Sequence, residues 1–356
     1  MALINLGMID KNLIPMPIAC VFCFLNRIIN KYFRDIVSNN MVINFTTSFS
    51  RFLAVIPFII LKKNTKKDHN IETIKNNTVI EYIFTGNKEE NVKGKWTYII
   101  LSSLIYFIQS VLFGITAKIP TNTWNLYILI TPIFYYLIFK IKLYKHHYLS
   151  IILILLVGAV IDFSLGNYQK EMVNNYYWLL LKLIREIIFS LHNVLAKYLM
   201  EKKFVSVYEY SFYNGVICII LSVTYSILDY FYFKQNNYED FFNNINTNKI
   251  LVLLGQLITQ FFLNLTLLLT IRNTSPCHAF IIYVFGQFAY YLEISLKSII
   301  VFNCLIIILF LSLIFNEIIE INFLGLSHNT RKNIIFRAGR ENEFFKLFFL
   351  LVNIFL

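Results

Sequence analysis

The sequence predicts an all-α integral membrane protein of ten transmembrane helices, arranged as two inverted repeats of five. Three observations predict it. The chain has 356 residues, of which 57% are hydrophobic and only 15% charged, and its mean hydropathy is +0.61. Apolar runs of about 20 residues, the length a helix needs to cross the hydrocarbon core, recur from one end to the other. Finally, FLNRIINKY (24–32) resembles SLHNVLAKY (190–198), and five expected helices separate the starts of the two segments.

In chain order, residues 1–12 form a cytosolic N-terminus without a cleavable signal pattern, so the first apolar segment stays in the membrane as an anchor. The first repeat, 13–166, has helices at 13–33, 41–61, 96–117, 122–141 and 148–166, where apolar runs are bounded by polar clusters. Within it, 62–95 mixes many lysines with acidic residues and has no apolar period, which predicts a cytosolic linker. The second repeat, 176–319, has helices at 176–200, 206–231, 249–271, 276–296 and 298–319. The tail, 320–356, joins the basic NTRKNIIFRAGR to EFFKLFFLLVNIFL, too short to span and suited to an interfacial helix.

Charge orients the chain. With an even number of helices both termini share a side, and Lys and Arg gather in 62–95, KIKLYKHH (140–147), KYLMEKK (197–203) and the tail, which assigns those segments and both termini to the cytosol. The net charge of +12 is thereby explained by membrane orientation, and no nucleic-acid partner is inferred from it. His146 and His147 lie in such a basic inner loop and need only solvation. The five cysteines sit in apolar stretches and read as packing residues, with no metal or cofactor spacing among them.

The chemistry is concentrated in the first and sixth helices. Lys182, Arg185, Glu186, His192, Asn193 and Lys197 fall within an arc of roughly 140° on one helix; Asn26, Arg27, Asn30 and Lys31 do the same on the other. Because five is odd, a repeated five-helix unit re-enters the membrane inverted, and such repeats enclose a cavity near the midplane. Both polar stripes are expected to line it.

At this point the chain resembles the drug/metabolite transporter superfamily, ten-helix proteins built from two EamA-type repeats and including nucleotide-sugar and triose-phosphate transporters. The resemblance rests on HNVLAKYLMEKKFVSVYEYSFYNGV (192–216), on TPIFYYLIFKIKLYKHHYLSIILILLVGAV (131–160), and on the equivalent positions of TSPCHAFIIYVFGQ (274–287) and TNTWNLYILITPIF (121–134). It implies a carrier in the Golgi or another endomembrane, with the plasma membrane as the alternative.

Ionisable groups inside spans cost about 2.5–3.5 kcal/mol each on insertion scales and mark functional interiors. The expected substrate-binding residues are therefore Lys182, Arg185, Glu186, His192, Asn193, Asn26, Arg27 and Asn30, with Lys31, Lys197 and Arg51 in gating or binding. Lys182 and Glu186 are expected to neutralise each other and leave Arg185 as the surplus cation. The surplus of cations favours a small anionic metabolite as substrate, with a cationic or neutral organic solute as the alternative. The partners are that solute and the bilayer, and a homodimer is compatible. Two other classes compete. One is a non-transporting adaptor that docks through 62–95 and the tail. The other is a membrane acyltransferase with His192 as base, for which no second acid appears. The chain is read as a non-enzyme.

Overall fold

Residues 4–6, 14–32, 40–60, 94–116, 126–141, 143–166, 176–228, 247–297, 299–321, 326–330 and 333 are described by a computed structural model. Among them are ten α-helices: α1 (Pro15–Tyr32), α2 (Asn40–Phe52), α3 (Lys95–Thr116), α4 (Leu126–Phe139), α5 (Lys145–Gly166), α6 (Tyr176–Lys202), α7 (Val207–Leu228), α8 (Thr247–Asn273), α9 (Phe280–Lys297) and α10 (Ile299–Phe315). The expected linker 62–95 and the interfacial helix of the tail fall almost wholly outside the described residues.

The burial pattern is that of a protein in lipid. Outward positions carry Leu156, Phe163, Ile220, Leu251 and Ile299, all exposed, while Arg51, Lys182, Glu186, His192, Lys197 and Asn214 are buried. A water-soluble domain does the reverse. Three helices, at Lys95–Phe113, Val207–Leu228 and Thr247–Asn273, are long and apolar enough to cross a membrane, and six others are shorter apolar helices. The 27-residue α6 is in neither group, because Lys182, Arg185, Glu186, Lys197, Glu201 and Lys202 interrupt its apolar surface.

The packing joins early helices to late ones. α1 lies on α8 and α9, and α6 lies on α3 and α4; α2 packs on α7 and α8, α7 also on α3, and α5 on α10. One apolar core includes Ala19, Ala54, Leu199, Tyr210, Leu268 and Ile282, and a second includes Ile128, Ile154, Phe280, Leu305 and Phe315. The start of α7 is fixed locally: Ser206 Oγ accepts the Glu209 amide at 3.0 Å, as a Ser-x-x-Glu helix start favours.

Two features depart from a set of simple rods. α2 is interrupted after Phe52: Ala54 N bonds Arg51 O and Ile56 N bonds Leu53 O, both at 3.1 Å and both three residues back, before helix resumes to Ile60. The interruption is braced by Gly215 of α7, where a Cβ would stand 2.3 Å from Phe52 N and 2.8 Å from Arg51 C. The second feature is a small addition to the all-α architecture. Strands β1 (Ile4–Leu6) and β2 (Ile319–Ile321) pair antiparallel, Ile4 opposite Ile321. At three residues each, they are too short to leave an alternating pattern in the sequence.

Candidate functional site

The seam between α3 and α6 carries the polar chemistry. Tyr106 and Phe113 are seven residues apart on α3, two turns, so they share a face at a spacing of about 10 Å. His192 and Arg185 have the same spacing on α6, which meets α3 antiparallel: the His192 ring centroid lies 4.8 Å from that of Tyr106, and Arg185 Cζ lies 5.7 Å from that of Phe113. Each aromatic also receives a guanidinium from the first two helices. Arg51 Cζ is 3.5 Å from the Tyr106 ring centre, and Arg27 Cζ is 5.4 Å from that of Phe113. The result is a strip with an arginine over an aromatic at both ends.

At the first end, Arg51 is 3% exposed. Its Nη1 donates to Asn214 Oδ1 at 2.7 Å, and Asn214 in turn donates to Ser103 Oγ at 3.0 Å. Its Nε has no hydrogen-bond partner, and among the described residues no carboxylate pairs with it. Ser102 Oγ and Tyr210 Oη are 2.7 Å apart beside it, and His192 Nδ1 lies 3.3 Å from the Ser102 carbonyl. With that carbonyl accepting the Nδ1 proton, His192 Nε2 is an acceptor, buried and without a partner. A cation–π contact contributes about 2 kcal/mol when desolvated and a hydrogen bond to a charged group about 1.5–3 kcal/mol. Together they offset much of the several kcal/mol that an ion loses on leaving water, but they supply no counter-charge.

The second end is differently built. Arg185, expected to be the surplus cation of α6, is paired with Glu186, its neighbour in sequence. Vicinal side chains diverge on a helix, but the long guanidinium stem bends back to the carboxylate beneath Phe113. Lys182 is buried on the same helix. Arg27 is part-buried beside Gly286, where a Cβ would meet Cys23 Sγ at 2.7 Å, so α1 and α9 approach closely at this point.

The remaining expected residues are spread along the interior. Asn26 is buried with Oδ1 unpartnered, and Asn30 Oδ1 accepts from Gln256 of α8 at 3.3 Å. Asn193 donates to Tyr127 Oη at 3.2 Å, and Tyr127 donates to the Pro276 carbonyl at 2.7 Å. Lys197 is engaged three times, by the carbonyls of Arg272 and Thr274 at the end of α8 and by Glu201 at 2.6 Å. That is a lysine capping a helix C-terminus. The Lys31 side chain lies outside the described part.

Sequence reasoning missed Tyr106, Phe113, Ser102 and Tyr127. In a chain with 35 Phe and 23 Tyr, no aromatic stands out; only the pair Ser102-Ser103 in an apolar run is a signal. A further correction concerns His146 and His147: both are buried, at 3% and 5% exposure, not solvated. No family model matches the chain, and no curated protein matches it.

Proposed function

We propose that the chain is a secondary carrier of a small anionic metabolite, of the nucleotide-sugar or sugar-phosphate type, working by alternating access between two inverted five-helix halves. The observation that carries this reading is Arg51, buried at an interruption of its helix and held, among the described residues, by neutral groups. A lone buried guanidinium is costly, and it is compensated when an anion arrives. Interrupted helices at membrane depth are a recurrent element of carrier binding sites. The strip from Arg51 to Arg27 and Arg185 suits an anion about 10 Å long with polar groups at both ends.

The packing supports the two-half architecture. Exchanging each helix for the one five places later turns α1 on α8 and α9 into α6 on α3 and α4, and turns α3 on α7 into α8 on α2. The pairs α2–α7 and α5–α10 are returned to themselves. A two-fold relation between halves requires this, and with five helices per half the second is inverted. All ten helices are spans in this reading.

The test is counterflow in proteoliposomes loaded with unlabelled and presented with labelled nucleotide-sugars, sugar phosphates and organic cations. Saturable uptake of phosphorylated anions, lost in Arg51→Gln at normal expression, is the expected result. Uptake confined to cations, or uptake untouched by the substitution, would remove the proposal.

A further inference from the structure

A second site lies at the opposite partners, α5 and α10. His146 and His147 open α5, and Glu317 follows α10; their ligand-capable atoms all lie within 4.8 Å of one another. Glu317 Oε1 is 3.2 Å from His146 Nε2 and 3.9 Å from His147 Nε2. Ligands about 2 Å from a tetrahedral zinc stand about 3.3 Å apart, so the three atoms need move little to close on an ion. His147 Nε2 has no hydrogen-bond partner although the residue is 5% exposed.

The backbone at Glu317 is the second observation. Ile318 N bonds Leu313 O and Glu317 N bonds Ile314 O, both at 3.0 Å, the reverse turn that commonly ends a helix. Its pivotal residue takes a left-handed conformation that glycine adopts freely, yet here it is Glu317, at φ 58°. The strain buys a carboxylate aimed at two imidazoles. Lys140 and Phe204 take the same conformation after α4 and α6, so the turn itself is a helix stop; what is particular to Glu317 is that its carboxylate meets two imidazoles.

We propose that His146, His147 and Glu317 bind a borderline divalent transition metal, with zinc the best match, leaving a fourth position for water. Two imidazoles and a carboxylate are the donor set of zinc sites with an open position, whereas calcium and magnesium select oxygen. Ligation through His147 Nε2 puts the ring proton on Nδ1 and gives up the 3.2 Å bond from the Tyr144 amide, a helix-start donor that water serves equally. His278 is close, its ring 6.1 Å from that of His147 and its Nδ1 engaged by Ser275 at 2.6 Å, but it is not among the groups whose ligand atoms lie within 4.8 Å of one another. The bound ion would tie the start of α5 to the turn after α10. The site stands independently of any reading of the Arg51 strip.

The experiment is metal binding by the full chain in nanodiscs, stripped with chelator, desalted and titrated with Zn²⁺ and Co²⁺. The expected results are one zinc per chain by elemental analysis, a melting temperature that rises with zinc as mass action requires, and visible absorption of four- or five-coordinate cobalt. Glu317→Gly relieves the left-handed strain, so this variant folds as well as the parent without metal yet loses the zinc-dependent shift; His147→Ala loses it too. No stoichiometric zinc in the parent, an equal shift with Mg²⁺, or zinc retained at one per chain in Glu317→Gly would overturn the site.

Discussion

Arg51 and Lys197 are both almost completely buried, at 3% and 2% exposure, on helices that pack into the same interior. Their surroundings differ in kind. Lys197 meets two helix-end carbonyls and a carboxylate, so its charge is matched within the protein and its role is to hold α6 against the end of α8. Among the described residues Arg51 meets an amide oxygen and an aromatic face, and no carboxylate balances its charge. A buried cation that is fully satisfied is part of the architecture. One that is left wanting an anion is a candidate for recognising one.

The comparison can be broken or sharpened by substitution. The largest effect is expected at Gly215, the brace of the α2 interruption: Gly215→Val drives side-chain atoms into the Arg51–Phe52 backbone and leaves no monodisperse protein on size-exclusion chromatography. Next is Arg51→Gln, which lowers affinity for a phosphorylated ligand by about 100-fold, the 2–3 kcal/mol of a charge-assisted contact, while the ligand-free melting temperature stays level or rises. Lys197→Met should behave in the opposite way. It strands two carbonyls and lowers stability by about 1–3 kcal/mol, read as a drop of several degrees in melting temperature, with ligand affinity kept. Smallest is Phe113→Leu, which removes the ring under Arg27 and Arg185 and weakens binding by about 2–5-fold, in line with about 0.5–1 kcal/mol for a part-exposed cation–π contact. Should Arg51→Gln destabilise the chain as Lys197→Met does, the distinction between the two cations collapses.

Much of this was legible in the residues. Apolar runs bounded by polar clusters locate the ten described helices, three of which have the length and composition to cross a membrane. The polar stripes of α1 and α6 follow from the helical period, and Arg51 from its position in an apolar run. What the period cannot carry is partnership. That Glu186 takes Arg185 depends on a side-chain bend, and that Asn214 takes Arg51 depends on how α2 crosses α7. The interruption after Phe52 is announced by Pro57, which has no N–H to offer the Leu53 carbonyl, but the small residue that makes room for it, Gly215, lies on another helix. His146 and His147 look solvated in a run of lysines until Glu317, 170 residues later, closes over them.

The most direct measurement of the central claim is the melting temperature of the purified protein against matched solutes: nucleotide-sugars, nucleotides, sugar phosphates, amino acids and organic cations, each with the parent chain and with Arg51→Gln. Ligands that bind the folded state raise its melting temperature by mass action. The account predicts stabilisation by phosphorylated anions in the parent and its disappearance in Arg51→Gln, with no response to cations in either. Stabilisation by cations or neutral solutes alone, or an anion response that Arg51→Gln leaves intact, would contradict it.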